Sequence, residues 1–490
     1  MIPGAIRYTL NNQVPQSVRL YATPWGRASN SLFFGMFAQD QWTVQRLSLT
    51  MGLRYDAHNA EAIAQHFAAG YWVGERNFPA VKNVPNWKNI NPRVGVAYDL
   101  FGTGQTVLKG SLGRYVLGIS SIGNNGLALD QPINSQALYA DRTWNDANGN
   151  FVPDCTLGTA VPEANGECGA LSNQNFGKVL ESHPNSRTAD DVLSGFQDAQ
   201  EYLWQGEVSL EHELRPGLGV IVGYIRTVYG NFTTVDNQRV TRADYDEYCI
   251  TAPVDPRLPG GGGNEIYGLY DIKPAAFGQT FNLTTKAENF GKASQVFNGV
   301  DVSLKARFGQ GGVLEGGLST GSLVTDNCFV VDSPQALYQC RVSPPWSSLT
   351  NIKFLFVYPL PWDFQAGVVY QNLPGTPISA LYTARNAEIA PSLGRDMGAC
   401  RGAAVCNAQT RIELIQPLTV FEPRRQRVDL RLTRTFRLAR GARVAGELDL
   451  YNLFNANDIL TMVTAYGTAW QDVQQILAGR FVKAGVRFSF

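Results

Sequence analysis

The chain has 490 residues, and its 41 Lys and Arg balance its 41 Asp and Glu. This balance argues against a nucleic-acid partner, which would require a basic excess on one face. No run of about 18 apolar residues occurs, so a transmembrane helix is excluded. The 49 Gly and 20 Tyr, against 5 Met and 4 His, suit a turn-rich β protein better than a helical enzyme.

The start of the chain lacks the features of a secreted precursor. Residues 1–19 contain no basic segment followed by an apolar run of about 7–15 residues, so no signal peptide is expected in this stretch. The first strand is expected near Ser17. No linker, charge block or low-complexity tract follows it, so residues 1–490 are expected to form one domain.

Segments with strict alternation of apolar and polar residues recur along the chain. In residues 300–308 (VDVSLKARF) every second residue is apolar, and polar or charged residues lie between them. A period of two predicts a β-strand. Charged residues on one face of nearly every strand are typical of a barrel with lipid outside and a wet lumen inside. The same pattern is found at 47–56, 94–100, 204–212, 427–438 and 480–490.

Arg434 is an exception to this alternation. It falls in phase with the apolar residues Val428, Leu430 and Phe436 of its segment. We therefore expect it either near a headgroup boundary, where an arginine facing lipid costs little free energy, or at a bulge that shifts the phase.

Short and long connections alternate between the predicted strands. The pattern predicts an all-β, antiparallel up-and-down transmembrane barrel, with short periplasmic turns and long extracellular loops. The number of strands is expected to be about 14, an even number. The short connections are 43–47, 100–106, 213–219, 308–312, 358–363 and 437–443, and the long ones are 56–90, 118–203, 231–294, 323–350, 372–426 and 455–479.

One long loop contains a candidate cation site. In the segment DANGNFVPDC, Asp146, Asn148 and Asn150 lie two residues apart and Asp154 follows. Hard cations such as calcium bind several converging oxygen ligands, which alternating Asp and Asn residues can supply. The alternative is an Asx-rich turn that is held by its own hydrogen bonds and stapled by Cys155. Calcium is the one cofactor for which the sequence offers residues.

All seven cysteines fall in the predicted outer loops, which places these loops in an oxidising compartment. Their closeness in sequence favours three local disulfide bonds, although spacing alone cannot establish the connectivity and free or differently paired thiols remain the alternative. Cys249 is left over. The expected pairs are Cys155 with Cys168, Cys328 with Cys340, and Cys400 with Cys406.

The last segment, RFVKAGVRFSF, predicts the closing strand of the barrel. Val486, Phe488 and Phe490 lie on its apolar face, and the chain ends on the last of them. We interpret these three residues as the membrane-insertion signal, so outer-membrane lipid and the barrel-assembly machinery are expected partners.

Several segments together resemble a known family, the TonB-dependent outer-membrane receptors, in particular the Oar-like kind with an N-terminal carboxypeptidase-regulatory-like domain. The resemblance covers nearly the whole chain and depends on the order and spacing of its motifs. It implies a gated barrel of 22 strands with an N-terminal plug, a location in the outer membrane, and energised uptake of a ligand through the TonB complex. The segments are FAQDQW (37–42), LTMGLRYD (49–56), NPRVGVAYDLF (91–101), GQTVLKGSLGRY (104–115), LPGGGGNEIYGLYDIKP (258–274), LPGTPISA (373–380) and residues 428–455.

The sequence departs from this family at its start, where no plug is recognisable. The chain is therefore expected to be the C-terminal part of a longer receptor, which contacts the TonB complex through a missing N-terminal region. A complete, passive porin-like channel and a barrel for surface adhesion or display are the alternatives. The scattered histidines provide no pair of base and nucleophile, so no enzymatic activity is expected. The ligand itself cannot be read from the sequence.

Overall fold

The computed structural model describes the chain except residues 1–4, 12, 119–135, 174, 180–186, 310, 401–405, 407 and 439–440. In the described part, no helix has both the length and the apolar character needed to cross a membrane.

One large antiparallel sheet dominates the described residues. Thirteen strands follow one another in sequence order, and each pairs with its neighbours in the chain. This arrangement confirms the predicted all-β, up-and-down barrel topology. The barrel strands are Ser29–Val44, Leu47–Ala62, Val81–Asp99, Thr106–Val116, Tyr202–Arg215, Leu218–Gly230, Ser294–Phe308, Gly312–Asp326, Asn351–Leu360, Phe364–Leu373, Arg425–Arg437, Arg443–Tyr451 and Phe481–Ser489.

The strand expected near Ser17 exists, as Val14–Tyr21, and it lies outside the barrel sheet. Val14–Tyr21 pairs with Ile6–Asn11 and Tyr139–Thr143 in a separate three-stranded sheet. Arg19 reinforces this sheet by donating to both carboxylate oxygens of Asp141, at 2.7 and 2.8 Å. The path of the barrel sheet has thirteen strands in the described residues, close to the expected count of about 14.

The strand register explains the two faces of the barrel wall. Residues directly opposite each other in an antiparallel pair lie on the same face of the sheet. Val302 pairs with Val222 on one side and with Leu318 on the other, which continues an apolar outer face across three strands. The next residue, Ser303, lies on the opposite face, toward the lumen. The alternation read from sequence is thus the alternation between lipid and lumen.

Several strands run further outward than the sequence pattern predicted. The second barrel strand extends to Ala62, and the third begins at Val81, so the predicted connection 56–90 is much shorter. Backbone hydrogen bonding continues between these two strands beyond the alternating segments, with a register shift near Asn59. The alternation of apolar and polar residues stops here because residues of other loops cover this outer part of the sheet, so that both apolar and polar side chains are buried.

The outer connections contain small sheets and short helices of their own. Further three-stranded and two-stranded sheets comprise Arg187–Thr188, Thr233–Asn237 and Asn282–Lys286; Gln65–Phe67 and Arg76–Phe78; Tyr245–Thr251 and Glu265–Ile272; Leu381–Arg385 and Gln409–Glu413; and Ile459–Met462 and Val473–Ile476. Ser194–Phe196 and Arg341–Val342 add short strands to the barrel sheet. The helices are Asp190–Leu193, Trp346–Leu349 and Asn386–Leu393, with 3-10 turns at Arg242–Asp244, Pro259–Gly261, Ala287–Asn289, Pro334–Leu337 and Gly398–Cys400.

Hydrophobic cores lie in these outer connections. Leu269, Ile389 and Ile412 are at most 2% exposed and belong to one core that joins two different loops. A neighbouring core contains Trp470 and Leu258. We call the described residues of 231–293, 374–424 and 452–480 the outer cap, because these three segments share the two cores.

Arg434 lies on the outer face at the turn end of its strand, opposite Phe364 and Gly446. The pairing on both sides contains no register shift, so the bulge alternative is wrong. Its guanidinium lies 5.0 Å from the ring centre of Phe364 and 4.8 Å from that of Phe436. Aromatic rings with an arginine near the periplasmic turns agree with the headgroup-boundary expectation.

The face assignment predicts unequal effects for one substitution at two adjacent positions. Val302→Arg is expected to destabilise the folded barrel by about 2–4 kcal/mol, because it places a charge toward lipid in the apolar band. Ser303→Arg is expected to cost far less, since its side chain enters the wet lumen. Folding titrations into lipid vesicles measure both costs, and equal costs would contradict the assignment of faces.

Candidate functional site

The lumen face of the last barrel strands carries paired charges. Arg431 donates to both carboxylate oxygens of Asp449, at 2.5 and 2.9 Å. Arg487 lies 2.8 Å from Glu447. Charge pairs placed toward water avoid the free-energy cost that single charges would have against lipid. In the sequence, these charged residues alternate with the apolar residues of the same strands.

Several cavities indent the lumen face among the described residues. A cavity of about 620 Å³ lies near the periplasmic turns and is lined by Glu211, Lys305 and Glu315. A second, of about 330 Å³, lies beside Arg431 and Asp449. We call the third, of about 410 Å³, the upper cavity. It is at the outer end of the first four barrel strands, and its lining includes Phe33, Asp56, His58, Asn91, Arg93 and Tyr115.

The outer cap is interlocked by a polar cluster around Trp470. Arg257 donates to the carbonyl of Trp470 at 2.7 Å, and its guanidinium lies 4.9 Å from the centre of the Trp470 ring system. The indole N–H of Trp470 donates to the carbonyl of Ser379 at 2.8 Å. Because the three residues belong to three different loops, these contacts fix the loops relative to one another.

Asp255 completes this cluster. Its carboxylate accepts hydrogen bonds from Arg257 at 3.0 and 2.7 Å and from the hydroxyl of Tyr466 at 3.3 Å. The guanidinium of Arg257 lowers the pKa of Asp255 to about 2, because it stabilises the charged carboxylate. Asp255 therefore stays ionised well below the pH at which ordinary aspartates become protonated.

A second polar cluster joins two segments of the outer cap. Arg395 donates to Asp246 at 2.9 Å and to Asp271 at 2.7 Å. The backbone N–H of Gly398 donates to the same carboxylate of Asp271 at 2.8 Å. The cluster thus ties the helix Asn386–Leu393 and the turn after it to the hairpin of the preceding loop.

The three predicted disulfide pairs are present. Cys155 is bonded to Cys168, Cys328 to Cys340, and Cys400 to Cys406. Cys249 is a free thiol, as the odd number of cysteines required. The sulfurs pair locally because each pair closes a short turn within one loop.

The structure brings Asp146, Asn148, Asn150 and Asp154 together in one exposed turn. The side-chain amides of Asn148 and Asn150 donate to one carboxylate oxygen of Asp154, at 2.6 and 3.0 Å. Asp146 accepts from the backbone N–H of Asn150 and of the residue after it, at 3.1 and 3.0 Å. These bonds are those of the Asx-turn interpretation.

Glu167 is a member of this turn that the sequence pattern missed. Its carboxylate accepts from the backbone N–H groups of Ala147 and Asp154, at 2.8 and 3.3 Å. Glu167 is adjacent to Cys168, so the disulfide brings it to the turn.

Among the described residues, no group of three or more His, Cys, Asp or Glu side chains has a geometry suited to a metal ion. The calcium site stays a prediction. It requires the side-chain amides of Asn148 and Asn150 to rotate so that their oxygens, and not their N–H groups, face the ion.

The three residues of the predicted insertion signal lie on the exposed outer face of the last strand. Val486 is 64% exposed and Phe488 is 62% exposed, and they pair with Gly446 and Val444. Phe490 follows the strand and is fully exposed. The positions fit contact with lipid, while recognition by the assembly machinery stays a prediction.

The sequence pattern singled out none of the residues of the upper cavity. Arg93 and Tyr115 occur in segments quoted for the family resemblance, but nothing in their spacing marks a site. Two glycines are the one feature of the sequence that could have indicated this cavity. A Cβ at Gly35 would meet the side chain of Arg54, and a Cβ at Gly113 would meet that of Tyr115. Small residues on a lumen face make room for large side chains from neighbouring strands.

A protein-family model matches residues 12–317, and its description is an outer membrane beta barrel domain. No curated protein sequence matches the chain.

Solved structures resemble the chain at low identity. The closed form of the ferric-catecholate import receptor Fiu from Escherichia coli K12 has 11% identity and a TM-score of 0.44, and the match covers 99% of this chain and 53% of that one. The outer membrane transporter YddB from Escherichia coli has 9% identity and a TM-score of 0.46, covering 98% and 61%. The FrpB iron transporter from Neisseria meningitidis has 10% identity and a TM-score of 0.45, covering 98% and 53%. The chain thus spans about half the length of these proteins, and likenesses of this size assign no function.

The Asp255–Arg257 contact predicts how the outer cap responds to acid. A lowered pKa gives stabilisation that is fully present above the ordinary aspartate value of about 3.9 and is lost as the pH falls through about 2. Pepsin cleavage within 231–293 is therefore expected to begin near pH 4 in Arg257→Gln, but at lower pH in the parent. Arg239→Gln in the same loop is the control, and it should behave like the parent. Cleavage with the same pH dependence in all three proteins would contradict the role of this contact.

The calcium prediction has its own protease test. Calcium at millimolar concentration is expected to protect residues 146–168, since extracellular sites of this kind have dissociation constants of about 10⁻⁴–10⁻³ M. Asp154→Ala should abolish the protection, whereas Asp191→Ala elsewhere in the same connection should preserve it. Identical cleavage with calcium and with chelator would leave the Asx turn as the sole interpretation.

Proposed function

The chain belongs to the outer membrane beta-barrel domain family, and on this premise we propose that it is the barrel of a TonB-dependent receptor. In this proposal a ligand binds through the outer loops and the lumen and is taken up with energy from the inner membrane. Outer-membrane lipid, the barrel-assembly machinery and the TonB complex are the partners. The expectation that the chain is not an enzyme stands with this proposal.

The observation that carries the proposal is the outer cap. Its three loops share two hydrophobic cores, and Arg257, Trp470 and Ser379 fasten them to one another. A passive channel needs a mouth that stays open to solutes. Loops that are ordered before a ligand arrives lose less conformational entropy on binding, which favours recognition.

The lumen supports the same proposal. Its paired charges and its separate cavities offer polar groups at fixed positions along the wall, as at Arg431 and Asp449. Fixed polar groups among apolar surface are typical of ligand-binding sites. The family resemblance of the sequence adds the energised mechanism, since the TonB complex powers the receptors that it resembles.

Metabolite analysis of spent growth medium tests the proposal even while the ligand is unidentified. Three strains of the source bacterium are compared: the parent, a strain lacking this gene, and a strain lacking the TonB protein. At least one compound is expected to be consumed by the parent and left by both deletion strains. Restoring the gene should restore its consumption.

Two results would overturn the proposal. A compound that only the receptor deletion leaves behind, and that the TonB deletion still consumes, would indicate a passive channel. Identical consumption in all strains across carbon, nitrogen and metal limitation would instead indicate adhesion or display.

A further inference from the structure

One arginine of the barrel wall faces lipid near the loop end of its strand. Arg226 lies on the strand Leu218–Gly230, in phase with Val222 of the apolar outer face. A strand rises about 3.4 Å per residue and tilts by about 40°, so Arg226 lies roughly 20 Å from Leu218 along the membrane normal. The apolar band is about 25 Å tall, and the long side chain of an arginine reaches the headgroups beyond it.

The guanidinium of Arg226 has no counter-charge from the barrel wall. It donates to the side-chain oxygen of Asn298 at 2.9 Å, on a strand that pairs with its own. No ion pair joins it to a carboxylate within the described part of the chain. A single charge on the lipid face is costly, so the group favours a position where an anion reaches it. The acidic residues of the two neighbouring strands all lie on the lumen face: Glu207, Glu211, Glu213 and Asp301.

Asn298 adds further donors to this position. Its side-chain oxygen accepts from the hydroxyl of Tyr224 at 2.7 Å as well as from Arg226, and two donors saturate a carbonyl oxygen. These two bonds fix the orientation of the amide. Its N–H groups then have no acceptor among the residues that the structure describes. A cluster that offers donors and no free acceptor fits an anion.

Gly206 leaves the cluster open on its other side. It pairs directly with Arg226 on the neighbouring strand, and because glycine has no side chain, the arginine stays exposed from this direction. A Cβ at Gly206 would lie 3.5 Å from the side chain of Leu112. Leu112 and Val208 are 52% and 56% exposed on the same outer face. Apolar surface suited to acyl chains therefore lies directly beside the donors.

We propose that Arg226 and Asn298 bind the phosphate of an anionic lipid of the outer leaflet. The phosphate accepts from the free N–H groups of both side chains, while Tyr224 holds the amide of Asn298 in place. The acyl chains of the lipid lie over Gly206, against Leu112. Phosphate is the anionic group of membrane lipids at the headgroup boundary, which is the depth that this arginine reaches. The inference goes beyond the proposed function, because a site on the outer face requires neither the lumen nor the TonB complex.

Native mass spectrometry of the refolded chain in nonionic detergent tests the site, because it counts bound lipids. Dioleoyl phosphatidic acid is the probe, since it carries a phosphate on two acyl chains. Dioleoylglycerol has the chains without the phosphate, and inorganic phosphate has the anion without the chains. The parent is expected to bind the probe at least about tenfold more tightly than dioleoylglycerol, and inorganic phosphate at the concentration of the probe should not displace it.

Three variants assign the contacts. Arg226→Gln is expected to weaken binding of the first probe molecule about tenfold or more. Asn298→Asp should have the same effect with little change in shape, because it places a carboxylate beside Arg226 and supplies the missing counter-charge. Arg434→Gln is the matched control, since this arginine also faces lipid, but at the turn end of its strand and against two aromatic rings. It should leave the tightest binding unchanged.

Each variant is first checked for folding by its heat-dependent shift in gel mobility, and Arg226→Leu replaces any Arg226→Gln protein that fails this check. Loss of the tight binding in the Arg226 and Asn298 variants, but not in Arg434→Gln, supports the inference. Equal affinity of the parent and the folded Arg226 variant, or an equal loss in Arg434→Gln, would overturn it. Displacement by inorganic phosphate would indicate a site for free phosphate, and equal binding of dioleoylglycerol a site for acyl chains alone. Either of these results would also overturn the inference.

Discussion

Hydrogen bonding between neighbouring strands is the constraint on which the rest of the molecule depends. Lipid offers no partner to a backbone N–H or carbonyl, so each membrane-crossing strand must pair along its length. Consecutive strands satisfy this requirement as an unbroken series of antiparallel pairs. Once the ladder is fixed, every second side chain must face lipid and the others must face water. Most charged residues of these strands therefore lie on the lumen face, where some of them form pairs such as Arg431 with Asp449. Arg434 and Arg226 are outward-facing exceptions, near the turn end and the loop end of their strands.

The outer cap follows a different rule. Its backbone is in water, so it needs no continuous ladder, and small sheets and short helices suffice. What holds it together is burial of apolar side chains from different loops, with Trp470 and Leu269 almost fully covered. The guanidinium groups of Arg257 and Arg395 connect loops across these cores. The barrel therefore serves as a frame for a separately packed unit that the membrane does not stabilise.

The sequence predicts the barrel well because its signal is local. Alternation over a few residues located most strands, and the close spacing of Cys328 and Cys340 was enough to predict their bond. The outer cap could not be predicted, since Arg257 and Trp470 meet across more than two hundred residues of chain. The strand at Ser17 shows the limit directly. A strand pattern reveals which residues are extended, but not which partner they find.

The direction of the two outermost barrel strands has a geometric consequence. In the described part of the chain, thirteen strands alternate in direction, so the first and the last run the same way. Pairing these two edges directly would create a parallel ladder between a strand of 16 residues and one of 9. Closure with antiparallel pairs throughout requires an odd number of additional strands between them. The total number of strands around the closed barrel must therefore be even, and this requirement limits the circumferences that the barrel can have.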